Sequence, residues 1–248
     1  MSRAGFRTDT GKVRVNNEDA LLFLPKQGAY AVADGVGGQN SGEIASRGAM
    51  AAFEGFLSQN PPKPESGLEG CSRDDWFEGY FIRCFEKMNS DILDIARNNP
   101  ASAGMATTAV TCYIDGARLY VTNIGDSRAY LIRDGGILQL TEDHSFLNKL
   151  IKSGMLTKDE AARHPQKNMI TRALGVDQAS EPDFYAFDII EGDKVLLCTD
   201  GLHGELSDDE IREIILGDGD LDAVCGKLAA AANEHGGYDN ITVICIEV

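Results

Sequence analysis

Residues 107–141, TTAVTCYIDGARLYVTNIGDSRAYLIRDGGILQLT, alternate apolar and polar side chains over four short runs. A period of two is that of a half-buried strand. The runs TTAVTCYI, ARLYVTNIG, SRAYLIR and ILQLT are parted by Asp115-Gly116 and Asp134-Gly135-Gly136, which are hairpin signals. The stretch therefore predicts an antiparallel meander. Upstream, Ala20 to Leu24 and Gly28 to Ala33 read as strands, followed by a helix from Ser41 whose Ala45, Ala49, Ala52, Phe53 and Phe56 keep the helical period to about Ser58. Beyond the loop SQNPPKPESGLEG, the segment DDWFEGYFIRCFEKMNSDILDIARNN predicts a helix with one apolar stripe, Phe77, Phe81, Phe85, Met88, Ile92 and Ile95. Downstream, a polar helical stretch is expected from Phe146 to about Ala173. Strands return at Phe184 to Ile189, Lys194 to Cys198 and Ile241 to Val248, with helices at about Asp208 to Leu216 and Leu221 to Glu234. Helices arrive in pairs between blocks of strands, so the chain reads as layered α+β with sheets face to face and helices outside. A doubly wound parallel sheet is disfavoured.

Composition narrows the function classes. The 248 residues are 43% hydrophobic, enough to build a sizeable core, and carry a formal charge of -16. Such a field repels nucleic acid and anionic membranes and favours basic partners or bound cations. MSRAGFRTDTGK lacks the pattern of a signal peptide, and no apolar run approaches a membrane span, so a cytoplasmic protein is expected. The six cysteines form no CxxC pair and fit a reducing compartment; the four histidines lack zinc spacing.

Clustered acids carry the chemistry. Asp34 closes a strand in VADGVGG, Asp126 follows one in NIGDSRAY, Asp200 follows one in LLCTDGL, and Asp239 precedes the last in GGYDNITV. Each stands next to glycine or in a glycine-rich turn at a strand edge, and one rim of a sheet could gather all four. Like charges so close need cations, and hard divalent ions with oxygen ligands suit them. Two such ions can activate water against a phosphorus centre. Arg14, in GKVRVNNEDA, is the candidate for holding phosphate, because its planar fork matches phosphate oxygens.

In order, VRVNNEDA, VADGVGG, GMATTAV, IGDSRAYLIRDG, LTEDHS, ITRALG, LLCTDGL and GGYDNITV resemble the motifs of metal-dependent protein phosphatases of type 2C in their short bacterial form. The resemblance implies a four-layer αββα sandwich, two antiparallel sheets packed face to face with helices on both outer sides, as one catalytic domain over residues 1–248. It implies hydrolysis of phosphoserine and phosphothreonine in proteins with two manganese or magnesium ions and a bridging water. It makes Asp34 the carboxylate bridging both ions, Gly35 a carbonyl ligand of the second, and Asp200 and Asp239 ligands of the first. Asp126 with Asp200 matches a third, weaker ion, and Arg14 matches the phosphate-binding arginine. Glu18 matches an acid reaching ion-bound water, and Asp19 and Asn240 orient ligands by hydrogen bonds. Gly37 and Gly38 let the chain turn away, and residues 144–175 fall where the family carries a flap. Phosphorylated proteins, with a Ser/Thr kinase or its targets, are the partners implied. Many eukaryotic members place a proposed acid, histidine, where Val36 stands; His203 is a weak substitute, and the general acid is unassigned.

Other readings are weaker. Cys112 and Arg118 in CYIDGAR have the Cys-x5-Arg spacing of cysteine-dependent phosphatases, but a hairpin turn between them leaves no cradle of amides, and Asp115 would oppose phosphate. GVGGQNSG lacks the Lys of a nucleotide loop. A catalytically weak phosphoprotein-binding domain on the same fold is opposed by the intact set Arg14, Asp34, Asp200 and Asp239. A metal-dependent nuclease is opposed by the charge of -16.

Overall fold

Two antiparallel sheets form the interior of the computed structural model, which describes residues 3–37, 41–64, 70–157, 160–161, 164–166, 168–176 and 181–248. The first sheet runs in the order β1 (Arg3–Asp9), β11 (Ile241–Glu247), β10 (Lys194–Cys198), β7 (Arg128–Arg133) and β8 (Gly136–Gln139). The second runs β2 (Asp19–Leu24), β3 (Ala29–Val36), β5 (Ala109–Asp115), β6 (Arg118–Ile124) and β9 (Asp183–Asp188), and the short β4 (Ala106–Thr107) pairs with the end of β3.

Alternation on β3 shows why the layers form. Tyr30 and Val32 point into the space between the sheets, where Val110, Cys112 and Val121 meet Ala129, Val195, Leu197 and Ile244 of the other sheet. Ala29, Ala31 and Ala33 face the other way, against α1 (Ser41–Gln59) and α2 (Arg73–Asn98). On α2 the stripe Phe77, Phe81, Phe85, Met88 and Ile92 is fully buried, each side chain contributing roughly 1.5–3 kcal/mol. Its start is fixed by reciprocal bonds between Ser72 and Asp75, a capping box. The outer face of the first sheet is covered by α4 (Asp208–Leu216) and α5 (Leu221–His235), with Ile211, Ile215, Val224 and Leu228 packed on Leu196, Val243 and Cys245. The expected αββα order is what the chain adopts.

Three sequence expectations are corrected. The meander is not one sheet: β5 and β6 pair in the second sheet, whereas β7 and β8 pair in the first. The chain crosses between them at residues 125–127, and Gly125 makes the crossing with φ of 105°, where a side chain would be strained. Second, Arg3–Asp9 is an edge strand with no counterpart in the sequence reading. Third, the helix expected from Phe146 to Ala173 is interrupted. Only α3 (Phe146–Lys152) is described as a continuous helix there; it stops before Gly154, whose φ is 73°. The chain comes back extended, with Ile170 bridging Ser145 and Leu174 bridging Thr107. Pro165 also disfavours helix at His164. Gly38 and parts of segment 144–175 lie outside the described residues.

Candidate metal centre and phosphate site

Strand ends from both sheets meet at one rim. Asp34 comes from β3, Asp126 from the crossing between sheets, Asp200 from the single helical turn Asp200–His203 after β10, and Asp239 from the turn before β11. All four line one cavity of about 430 Å³ together with Arg14, Glu18, Gly35, Val36 and Asn240. The sequence candidates are thus brought together, with Asp19 set behind the wall. Its Oδ2 accepts a bond from Thr199 Oγ1 at 2.9 Å, next to Asp200.

Local packing explains the placement. The main chain of Asp34 is held by a threonine pair: its N–H donates to Thr108 Oγ1 at 2.9 Å, and its carbonyl accepts from Thr108 N at 2.9 Å and Thr107 Oγ1 at 2.8 Å. Gly35 donates to Glu18 O and passes close to Gly42 at the start of α1. Asn240 staples the loop that carries Arg14: Oδ1 accepts from Glu18 N at 2.8 Å, and Nδ2 donates to Thr10 O and Asn16 O, each at 2.9 Å. Sequence reasoning placed Asn240 beside the ligands but missed Thr107, Thr108 and the cavity-lining Asn168, Met169 and Ile170. The paired threonines of GMATTAV were visible, but only the fold shows them facing Asp34.

Burial and mutual repulsion dominate the electrostatics. Burial first, then the charges of Asp200, Asp19, Asp126 and Asp239, push the Asp34 carboxyl far above the usual carboxylate range. Asp126 is raised by burial and then Asp200 to about 7, and Asp200 by burial and then Asp239 to about 6, against a hydrogen bond from Asp34 that favours its charged form. Burial raises Asp19 to about 7. Burial pulls the Arg14 guanidinium down, but Asp239, Asp34 and Glu18 outweigh it, and Arg14 Nη2 meets Asp239 Oδ2 at 2.7 Å.

These residues fit divalent ions. Among the described residues, Asp200 Oδ1 and Asp19 Oδ1 are buried with no hydrogen-bond partner, and anionic oxygens without a donor call for a cation. No three acidic, histidine or cysteine side chains among the described residues close on a single point. Four carboxylates spread along a cavity wall suit two ions completed by carbonyl and water oxygens better than one enclosed ion.

Alternatives at the rim lose support. Val36 is 41% exposed and offers no proton. His203 Nε2 donates to the Asp126 carbonyl at 3.0 Å, and burial lowers the ring's pKa to about 3, so the neutral ring spends its one N–H on holding a loop. Cys112 is buried in β5 with its thiol pushed up by desolvation, and Arg118 across the hairpin is engaged by Asp74 and Asp188. A larger groove of about 820 Å³ between α1 and α2, lined by Gly48, Ala52, Phe56 and Ile95 among others, shares no residue with the aspartate cavity.

Comparison with known proteins agrees with this geometry. The family described as Protein phosphatase 2C matches residues 8–150. The chain is 34% identical over 247 residues to Serine/threonine phosphatase stp of Listeria innocua, covering 98% of this chain and 95% of that protein. It is 38% identical over 245 residues to Protein phosphatase PhpP of Streptococcus pneumoniae, covering 97% and 95%. The solved catalytic domain of the serine/threonine phosphatase PstP in complex with two manganese ions superposes with a TM-score of 0.86 at 33% identity, covering 99% of this chain and 97% of that one.

Proposed function

The chain belongs to the protein phosphatase 2C family and is a metal-dependent protein serine/threonine phosphatase, and on that premise we propose which residues carry the reaction. Asp34 would be the carboxylate shared by two divalent ions, Gly35 would lend its carbonyl to the second, and Asp200 and Asp239 would hold the first. Asp126 with Asp200 would take a third, weaker ion. Manganese or magnesium fits this oxygen-rich set. Bound ions supply the charge that neutralises the carboxylates and lowers the pKa of attacking water.

The protein's own groups do the rest. Arg14 leaves Asp239 to grip the phosphate oxygens of the substrate and turns phosphorus toward the aspartates. Asn240 holds the loop that aims it, Glu18 orients water in the cavity, and Asp19 holds Thr199 beside Asp200. Among the described residues no histidine lines the cavity, which leaves water there to protonate the departing serine or threonine. Residues 1–248 act as one catalytic domain, and segment 144–175 as its flap, reaching the mouth through Asn168, Met169 and Ile170. Phosphorylated proteins are the substrates, a Ser/Thr kinase or its targets the partners, and the cytoplasm the compartment. No helix among the described residues is long and apolar enough to cross a membrane.

One observation carries this reading: a single cavity holds Arg14 with Asp34, Asp126, Asp200 and Asp239. The test measures release of phosphate from a phosphothreonine peptide with manganese, with chelator, and in the Asp34→Asn and Cys112→Ser variants. Activity is expected to need the ion and Asp34 and to survive at Cys112→Ser. Chelator-resistant turnover, or turnover lost only at Cys112→Ser, would sink it.

A further inference from the structure

The peptide that carries Asp126 is tied to the base of segment 144–175 through one buried side chain. His144 is 5% exposed and lies outside the aspartate cavity. Its main-chain N–H donates to Gly125 O at 2.9 Å, and the N–H of Gly125 donates back to His144 Nδ1 at 3.2 Å. Because Nδ1 accepts, the ring hydrogen is on Nε2, which donates to Asp183 Oδ2 at 3.1 Å. Arg172 Nη1 donates to the other oxygen of Asp183 at 2.8 Å, and the neighbouring Thr171 N–H donates to the His144 carbonyl at 2.6 Å. On its far side Gly125 rests on Thr108, the residue that holds Asp34.

We propose that His144 is a positioning residue for the Asp126 carboxylate: its ring and main chain lock the Gly125–Asp126 turn to the Arg172–Asp183 pair at the base of segment 144–175, so carboxylate and segment are placed as one unit. Glycine is free to take many backbone conformations, and these partners hold Gly125 in one of them, at φ of 105°. His203 also fixes the carbonyl of Asp126, but of these two histidines only His144 belongs to the segment that reaches the cavity mouth. Coupling of this kind is reciprocal: the docked segment favours an ion at Asp126 by the same factor by which that ion favours docking. The inference rests on the reading of Asp126 as an ion ligand.

The two arms of the ring can be separated chemically. Asn at 144 keeps an oxygen near Nδ1 for Gly125, whereas Gln keeps an N–H near Nε2 for Asp183 and loses the acceptor. Manganese binding to the full chain is measured by calorimetric titration for wild type, His144→Gln, His144→Asn and Asp126→Ala. Asp126→Ala is expected to remove the weakest binding component, His144→Gln to weaken that component by about fivefold or more, and His144→Asn to keep it near wild type. Equal affinities in the Gln and Asn variants, or wild-type affinity in the Gln variant, overturn the positioning role. Unchanged binding in Asp126→Ala overturns the ligand reading itself, and this inference with it. Should His144→Gln fail to fold, Arg172→Gln on the half-exposed end of the network replaces it. Weaker manganese binding together with faster proteolysis of segment 144–175 supports the coupling, and faster proteolysis at unchanged affinity overturns it.

Discussion

The carbonyl oxygen of Gly42 lies 2.0 Å from the point where a Cβ on Gly35 would stand, and the carbonyl of Glu18 lies 2.8 Å from it. Backbone meets backbone there, and neither side can rotate away. Gly35→Ala therefore forces β3 and the first turn of α1 apart, at an expected cost of about 1–3 kcal/mol. Thermal unfolding of the ion-free protein reads the loss directly, and an unchanged melting temperature would contradict the close approach.

Arg14 is half-exposed, and its pairing with Asp239 adds at most about 1 kcal/mol to stability. Its proposed role rests on the planar fork. Arg14→Lys is expected to keep the melting temperature and to lower kcat/KM on a phosphothreonine peptide about tenfold or more. A lysine variant with full kcat/KM would mean that phosphate is held elsewhere.

Asn240→Asp keeps the acceptor for Glu18 but cannot donate to Thr10 and Asn16. The loop bearing Arg14 loses two of its three ties to residue 240, and a sixth acidic side chain joins Glu18 and the four aspartates in the cavity. A stability loss of about 1–3 kcal/mol is expected, with a larger fall in kcat/KM than in manganese affinity. Equal falls in both would place the role of Asn240 at the ions alone.

Ion removal and pH are linked with a definite sign. Without ions, Asp19, Asp126 and Asp200 titrate near 7, 7 and 6 when folded, against an ordinary value of 3.8. Groups raised in this way give stability that is fully present below pH 3.8 and lost as pH rises through 6 and 7. Asp183 and Asp193 are lowered by their partners, so their contribution is already complete above pH 5. In chelator, the melting temperature is expected to fall between pH 5 and pH 8, and the rise on adding manganese to grow over the same range. A manganese effect that shrinks as pH rises would refute the account.

The four aspartates were legible because each stands at a strand edge, next to glycine or in a glycine-rich turn, a local signal. The apolar stripe of α2 was legible for the same reason. Arg3–Asp9 was not: it is an edge strand in which only Gly5 is buried, and its partner β11 lies at the other end of the chain. Hairpin turns announced β5 with β6 and β7 with β8, yet nothing local says that the second pair joins the other sheet. The grip of Thr107 and Thr108 on Asp34 and the approach of Met169 to the mouth exist only once distant segments have met. His203 was only a weak substitute for the missing acid, placed just past Asp200, and its direction toward the Asp126 carbonyl could not be read from spacing.

The crossing at Gly125 gives the centre a mechanical role. Asp34 belongs to one sheet, Asp200 and Asp239 adjoin strands of the other, and Asp126 sits on the span between them. On the proposed ligand set, ions held by all four would act as a removable rivet through the rim of the sandwich. Sliding of one sheet over the other shears that rivet, so enlarging or shrinking Val121 or Leu197, deep between the sheets and touching no substrate, would retune how tightly the ions are held.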